Sequence, residues 1–202
     1  MKLKALVAAC SMSFTLPADA TLTENVNDIP NRKIIDFEIY DRFSIVGPEK
    51  IASGVSFTGT PGSVLGAFMA DLGSNGLWGA GNFFAATDII GTLHFTFINS
   101  ATGAVGALLN SYNGNGMLIS AFGEDHQIIE SHLIDVDTAE DSLNAGTFFG
   151  ITRPTADIRS ISFTGTGLVA DNITFASPIP EPETYAMMLA GLGLMGLFAR
   201  RR

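Results

Sequence analysis

The sequence predicts an all-β fold, a single β-sandwich flanked by an N-terminal signal peptide and a short C-terminal transmembrane helix. Three observations carry the sandwich. Short segments alternate apolar and polar residues, Gly, Asn, Pro and Asp cluster between them, and residues 21–177 hold no sustained helical period. In chain order, Lys33 to Tyr40 alternates around Ile35, Phe37 and Ile39, and Val55 to Thr58 is a shorter strand of the same kind. Leu93, Phe95 and Phe97 share one strand face, with Thr92, His94 and Thr96 on the other, because successive side chains point to opposite sides of a strand. Met117 to Phe122, Gln127 to Ile134, Thr147 to Ile151, Ile158 to Thr164 and Leu168 to Phe175 complete the series. Asn113-Gly114 carries a hairpin-type turn signal. Residues 21–177 are enough for one such domain, and they show no internal repeat.

The composition narrows the function. Of the 202 residues 47% are hydrophobic and only 15% charged, where about 25% is usual. A single cysteine excludes a disulfide framework and any zinc or iron–sulfur site built on several thiolates. The formal net charge is -9, and residues 21–177 hold 17 acids against 6 bases, with no Lys or Arg between Lys50 and Arg153. Nucleic acid is thereby excluded as a partner, since its phosphates are bound by clustered Lys and Arg. What remains is a cation, a neutral polar ligand, or an acidic surface that aids solubility.

The N-terminus reads as an export signal. Met1 to Lys4 is a short basic region, Ala5 to Leu16 is apolar, and Ala18-Asp19-Ala20 is a small-x-small cleavage site that would start the mature chain at Thr21. A competing reading takes Val7-Ala8-Ala9-Cys10 as a lipobox with Cys10 lipidated. The apolar stretch before it, Ala5 to Ala9, is shorter than the usual ~7–15 residues. At the other end a proline-rich linker leads into AMMLAGLGLMGLFA (Ala186 to Ala199) and then Arg200, Arg201 and Arg202. As a helix those apolar residues would span about 21 Å. That is short of the roughly 30 Å bilayer core. The terminal arginines would hold it cytoplasmic side in.

The tripartite tail, Pro180-Glu181-Pro182 followed by the Gly/Leu-rich span and the terminal arginines, resembles the PEP-CTERM sorting domain. The resemblance covers Pro178 to Arg202. It implies recognition by an exosortase, a membrane-embedded cysteine transpeptidase, which would cut near Pro180-Glu181-Pro182 and pass the body from a transient inner-membrane anchor to the cell surface or extracellular matrix. The domains are then a signal peptide (1–20), an extracellular β-sandwich (21–177) and a sorting and anchor segment (178–202). More loosely, Ile35 to Glu38, Phe122-Gly123-Glu124-Asp125, Phe148 to Thr152, Ile158 to Phe163 and Asp171 to Phe175 resemble jelly-roll extracellular modules related to carbohydrate-binding domains. That likeness implies a jelly-roll-like sandwich whose first and last strands lie together. It nominates Asp36, Glu38 and Asp171 for a structural calcium, with backbone carbonyls and Asn172 completing six to eight oxygens.

Compact catalytic motifs are missing from the sequence. His94, His126 and His132 do not form a His-Glu-x-x-His pattern, and neither a Gly-x-Ser-x-Gly elbow nor a P-loop is present. Gly73 to Gly81 reads as a flexible surface loop carrying Trp78, whose ring could either stack on a sugar or plug the end of a sandwich core. Glu124-Asp125, Glu130, Asp135, Asp137 and Glu140-Asp141 supply carboxylates, but a glycoside hydrolase needs two of them facing across a cleft. The expectation is a non-enzymatic protein of the cell surface or biofilm matrix, with exopolysaccharide as candidate ligand. The competing expectation is a secreted glycan-acting hydrolase on the same scaffold; a third is a permanently membrane-anchored protein.

Overall fold

The structure, a computed structural model, describes residues 20–40, 43–44, 46–79 and 82–177. The expected signal peptide and transmembrane helix, and the tail motif, therefore lie outside the described residues, except for Ala20. Among the described residues no helix is long and apolar enough to cross a membrane.

Among the described residues seventeen strands follow one another, beginning with β1 (Thr21–Thr23), β2 (Arg32–Ile35), β3 (Phe43–Ser44), β4 (Glu49–Ala52), β5 (Val55–Gly59), β6 (Val64–Ala67), β7 (Ala70–Asp71), β8 (Leu77–Trp78) and β9 (Phe84–Ala86). The longer ones come later: β10 (Ile90–Phe97), β11 (Ala104–Asn110), β12 (Met117–Phe122), β13 (Ile128–Ile134), β14 (Leu143–Asn144), β15 (Thr147–Thr152), β16 (Ser160–Thr166) and β17 (Val169–Ala176). An eight-stranded sheet runs β1-β15-β11-β17-β9-β6-β3, with β2 also on β17; a six-stranded sheet runs β13-β12-β16-β10-β5-β4. A small third sheet runs β14-β8-β7. From β10 onward the chain passes repeatedly between the two large sheets, as in a jelly-roll-like sandwich.

One core lies between the large sheets. Phe57, Leu93, Phe95, Ile119, Ile161 and Phe163 from the six-stranded sheet meet Leu65, Val105, Ile151 and Ile173 from the other. The predicted alternation of β10 is realised: Leu93, Phe95 and Phe97 are buried and Thr92, His94 and Thr96 face outward. Phe95 sits at the middle of an aromatic row, 5.4 Å from Phe57 and 6.1 Å from Phe163 between ring centres.

The outer face of the eight-stranded sheet is also apolar and is covered in two patches. Leu72, in the turn that joins β7 to β8, and Trp78 on β8 lie on Phe84 and Val169. Ile29, at the end of a 3-10 turn over Val26–Asp28, joins Ala104, Phe148 and Ala176. Leu108 touches both patches. This double burial explains why β11 shows no alternation: residues 104–109 are apolar toward both sides.

Three local expectations need correction. The strand beginning at Lys33 stops at Ile35, because Phe37 takes φ +61° and Asp36 Oδ1 accepts from the Glu38 N–H at 3.3 Å. Asn113-Gly114 does adopt left-handed backbone, but its turn joins β11 to β12 across the two sheets and is no hairpin. The segment after Gly73 is no free surface loop. Asn75 is buried, and its Nδ2 donates to Asn110 Oδ1, Ser111 O and Val136 O while its carbonyl accepts from Thr138 Oγ1 and Asn144 Nδ2.

Candidate functional site

The nominated acids come near one another but do not converge. Ile173 on β17 pairs with Ile35 on β2, which brings Asp36 and Glu38 alongside Asp171. A bulge follows: Leu108 faces Asp171 and Gly106 faces Thr174, so Asn172 and Ile173 oppose Ala107 alone, with Asn172 at φ +49°. The bulge leaves Asp171 on the covered face beside Leu108, 5% exposed, its Oδ1 accepting from the Asn172 N–H at 2.6 Å. Burial pushes its carboxyl up to about 7, and the charges of Glu38 and Asp36 add to the rise. Those two side chains point elsewhere. Glu38 Oε1 accepts from the Phe83 N–H at 3.0 Å, and Asp36 caps its own turn. Among the described residues no three His, Cys, Asp or Glu side chains form a group that could hold a metal. Asp36 and Glu38 are exposed and each accepts from one backbone N–H, while Asp171 is buried with a single N–H, so the three acids read as calcium ligands do not converge in this structure.

Of the two readings of Trp78, core packing holds and sugar stacking does not. Trp78 is 1% exposed and packs edge-on against Phe84 at 5.9 Å, so its ring is core and offers no face to a ligand. The remaining acids are dispersed. Glu124 pairs with Arg159 at 2.8 Å, Glu130 with His132 at 2.5 Å, and Asp157 with Arg153, whose hydrogen bonds hold the Asp157 carboxyl below its ordinary range. Asp135, Asp137, Glu140 and Asp141 are exposed on a turn that is anchored from inside by Val136 and Thr138.

The outer face of the six-stranded sheet carries a set of hydroxyl residues, of which Thr58 and Ser131 are exposed and Ser120 and Ser162 are buried. Cross-strand register aligns Thr58, His94, Ser162, Ser120 and Ser131 in one row, and Thr92, Thr164, Leu118 and Leu133 in the next but one. Thr92 and Thr164 share a hydrogen bond of 2.8 Å between their hydroxyls, as do Ser120 and Ser131. Leu133 is 73% exposed. The His94 ring lies 5.4 Å from that of Phe122; burial first, and then the charge of His126, lowers its pKa, so it stays neutral at pH 7.

Clefts open at both ends of this sandwich. At one end two adjoining clefts, of about 320 and 360 Å³, are rimmed by Ser177, the last described residue; Lys33 and Asn99 line the first and Arg153 the second. At the other end a cleft of about 290 Å³ lies between Thr87, Asp88, Ile89, Tyr112, Thr166 and Gly167. Sequence reasoning missed Tyr112. The signal was present, because an aromatic residue preceding an Asn-Gly turn is carried to the surface by the turn itself.

Comparison with known families matches the PEP-CTERM protein-sorting motif to residues 178–202, directly after Ser177. Comparison with the curated proteins returned no match. The sorting motif implies export, processing by exosortase, a membrane-associated enzyme, and passage to the cell surface.

Proposed function

We propose that a chain with this sorting motif is a non-enzymatic protein of the cell surface or exopolysaccharide matrix, cleaved at both ends before it reaches its station. The observation that carries the reading is the fit between fold and processing sites. β1 starts at Thr21, directly after the Ala18-Asp19-Ala20 signal site, and β17 ends at Ala176, two residues before the motif. The sandwich thus fills the interval between the two cuts. The Pro180-Glu181-Pro182 motif is the recognition element, the apolar span is a brief anchor, and Arg200, Arg201 and Arg202 hold its cytoplasmic end.

The body acts by binding. The exposed and half-buried Thr58, Thr92, Ser131 and Thr164 hydroxyls on one sheet face suit the hydroxyl groups of a polysaccharide, each of which both donates and accepts. The clefts at the two ends support this over hydrolysis. Of the carboxylates only Asp88 lines any of the three, whereas glycoside hydrolysis uses a facing pair.

The test is the mass of the protein from its native host, fraction by fraction. The expected form starts at Thr21, ends near Pro182 and is found in the surface or matrix fraction. A chain still carrying Arg202 and confined to membranes would overturn the sorting role and leave a permanently anchored protein. Replacing Pro180, Glu181 and Pro182 by alanine is expected to trap the full-length chain in the inner membrane; unchanged processing would count against the proposal equally.

A further inference from the structure

The cleft beside Tyr112 has the makings of a sugar subsite. Tyr112 is 42% exposed, yet its position is fixed. Its carbonyl accepts from Asn115 Nδ2 at 2.6 Å, and the next residue, Asn113, donates its N–H to Leu72 O at 2.8 Å. Two glycines in left-handed backbone make room for it. A Cβ at Gly167 (φ +51°) would come within 2.8 Å of Tyr112 Cβ, and one at Gly73 (φ +61°) within 3.1 Å of Cε2. An aromatic residue held in this way loses little freedom when a ligand stacks on it.

The rest of the lining is complementary to a pyranose. Ile89, 72% exposed, adds an apolar wall. The Thr87 hydroxyl is already committed, accepting from the Leu168 N–H at 3.0 Å and donating to Asp88 O at 3.3 Å. Thr166 and the exposed Asp88 carboxylate remain to meet hydroxyl groups, and no described ion pair involves Asp88. A carboxylate can accept from two neighbouring hydroxyls and repels an acidic sugar. A cleft of about 290 Å³ lies at the small end of ligand pockets, roughly 300–1,000 Å³, which fits one terminal or branching ring.

Its placement extends the open face. Thr166 pairs with Ile90 at the start of β10, one outward step from the Thr92–Thr164 hydroxyl pair. The Ser177 clefts lie at the other end of the same strand, where Phe97 lines one of them. Eight residues of strand separate the two ends by about 24 Å. The tail leaves from one end and the Tyr112 cleft is held out at the other.

We propose that this cleft binds a neutral sugar residue of a polysaccharide, with Tyr112 stacking on the ring and Asp88 and Thr166 engaging its hydroxyls. The proposal rests on the reading of the body as a glycan-binding protein. The experiment measures binding of the full chain, in detergent, to an array of neutral glucans, mannans and galactans, with alginate as the acidic control. The expected result is retention on at least one neutral polymer and none on alginate. Tyr112→Ala and Asp88→Ala should each weaken it tenfold or more, and Tyr112→Phe, which keeps the stacking ring and the fold, only slightly. Neutral-glycan binding unmoved by Tyr112→Ala and Asp88→Ala would overturn this subsite while the glycan-binding body stood. Failure to bind any neutral polymer, or preference for alginate, would overturn both, and the sorting role would still be judged by the mature mass.

Discussion

The two large sheets share one core but differ on their outer faces. The eight-stranded sheet turns Val169, Phe84, Phe148 and Ala104 outward, and a third sheet and a 3-10 turn close over them. The six-stranded sheet turns Thr92, His94, Ser162 and Ser120 outward; Thr92 and His94 are partly exposed, and the two serines are buried among their neighbours. Similar strands have thus been put to two uses. One outer face adds a second layer of hydrophobic burial, and the other is polar and partly exposed. Stability should reside mainly in the first and recognition in the second.

The sharpest way to break this comparison is at Trp78. Trp78→Ala removes the largest side chain of the covering layer, and the expected loss is about 3–5 kcal/mol in urea unfolding. A loss no larger than that of a surface substitution would mean that the cover is dispensable.

Asp171 probes the covered face in another way. Its carboxyl titrates at about 7 in the folded protein and at about 3.9 in the unfolded chain. Between those values the unfolded chain has given up its proton and the folded one keeps it, so folding loses stability as pH rises. The contribution is harmless below about pH 4, worsens up to about 7 and is constant beyond. Asp171→Asn is therefore expected to raise the melting temperature relative to the parent above pH 7 and to leave it unchanged near pH 4. A difference independent of pH would show that the carboxyl titrates normally.

The open face should be the most forgiving. Replacing Thr92 and Thr164 together by valine removes both partners of one hydroxyl pair and leaves neither unsatisfied. The expected change in stability is within about 0.5 kcal/mol. A larger loss would place the hydroxyl row among the stabilising elements of the fold.

The same difference explains what the sequence made legible. β10, β12 and β16 have one wet face or one hydroxylated face, and their period of two stands out. β11, β6 and β9 are apolar on both sides or very short, and nothing in their residues separates a strand from any other buried segment. The acids around Asp171 were legible as neighbours, because β2 and β17 do pair, but not in their directions, which a bulge, the turn cap of Asp36 and the Glu38 hydrogen bond to the Phe83 N–H decide. The tail motif was readable because its signal is local and contiguous. The Tyr112 cleft was not, since it is assembled from residues 87–89, 112 and 166–167.

The strand order has a consequence for the moment of export. β17, the last strand before the tail, occupies the middle of its sheet, with β11, β9 and β2 all bonded to it. The first strand, β1, waits for β15. Until β17 is available, β2, β9 and β11 lack the strand that joins them, so the eight-stranded sheet is completed only by the residues that directly precede the sorting motif. In a chain exported from its N-terminus that sheet would be the last part of the sandwich to close.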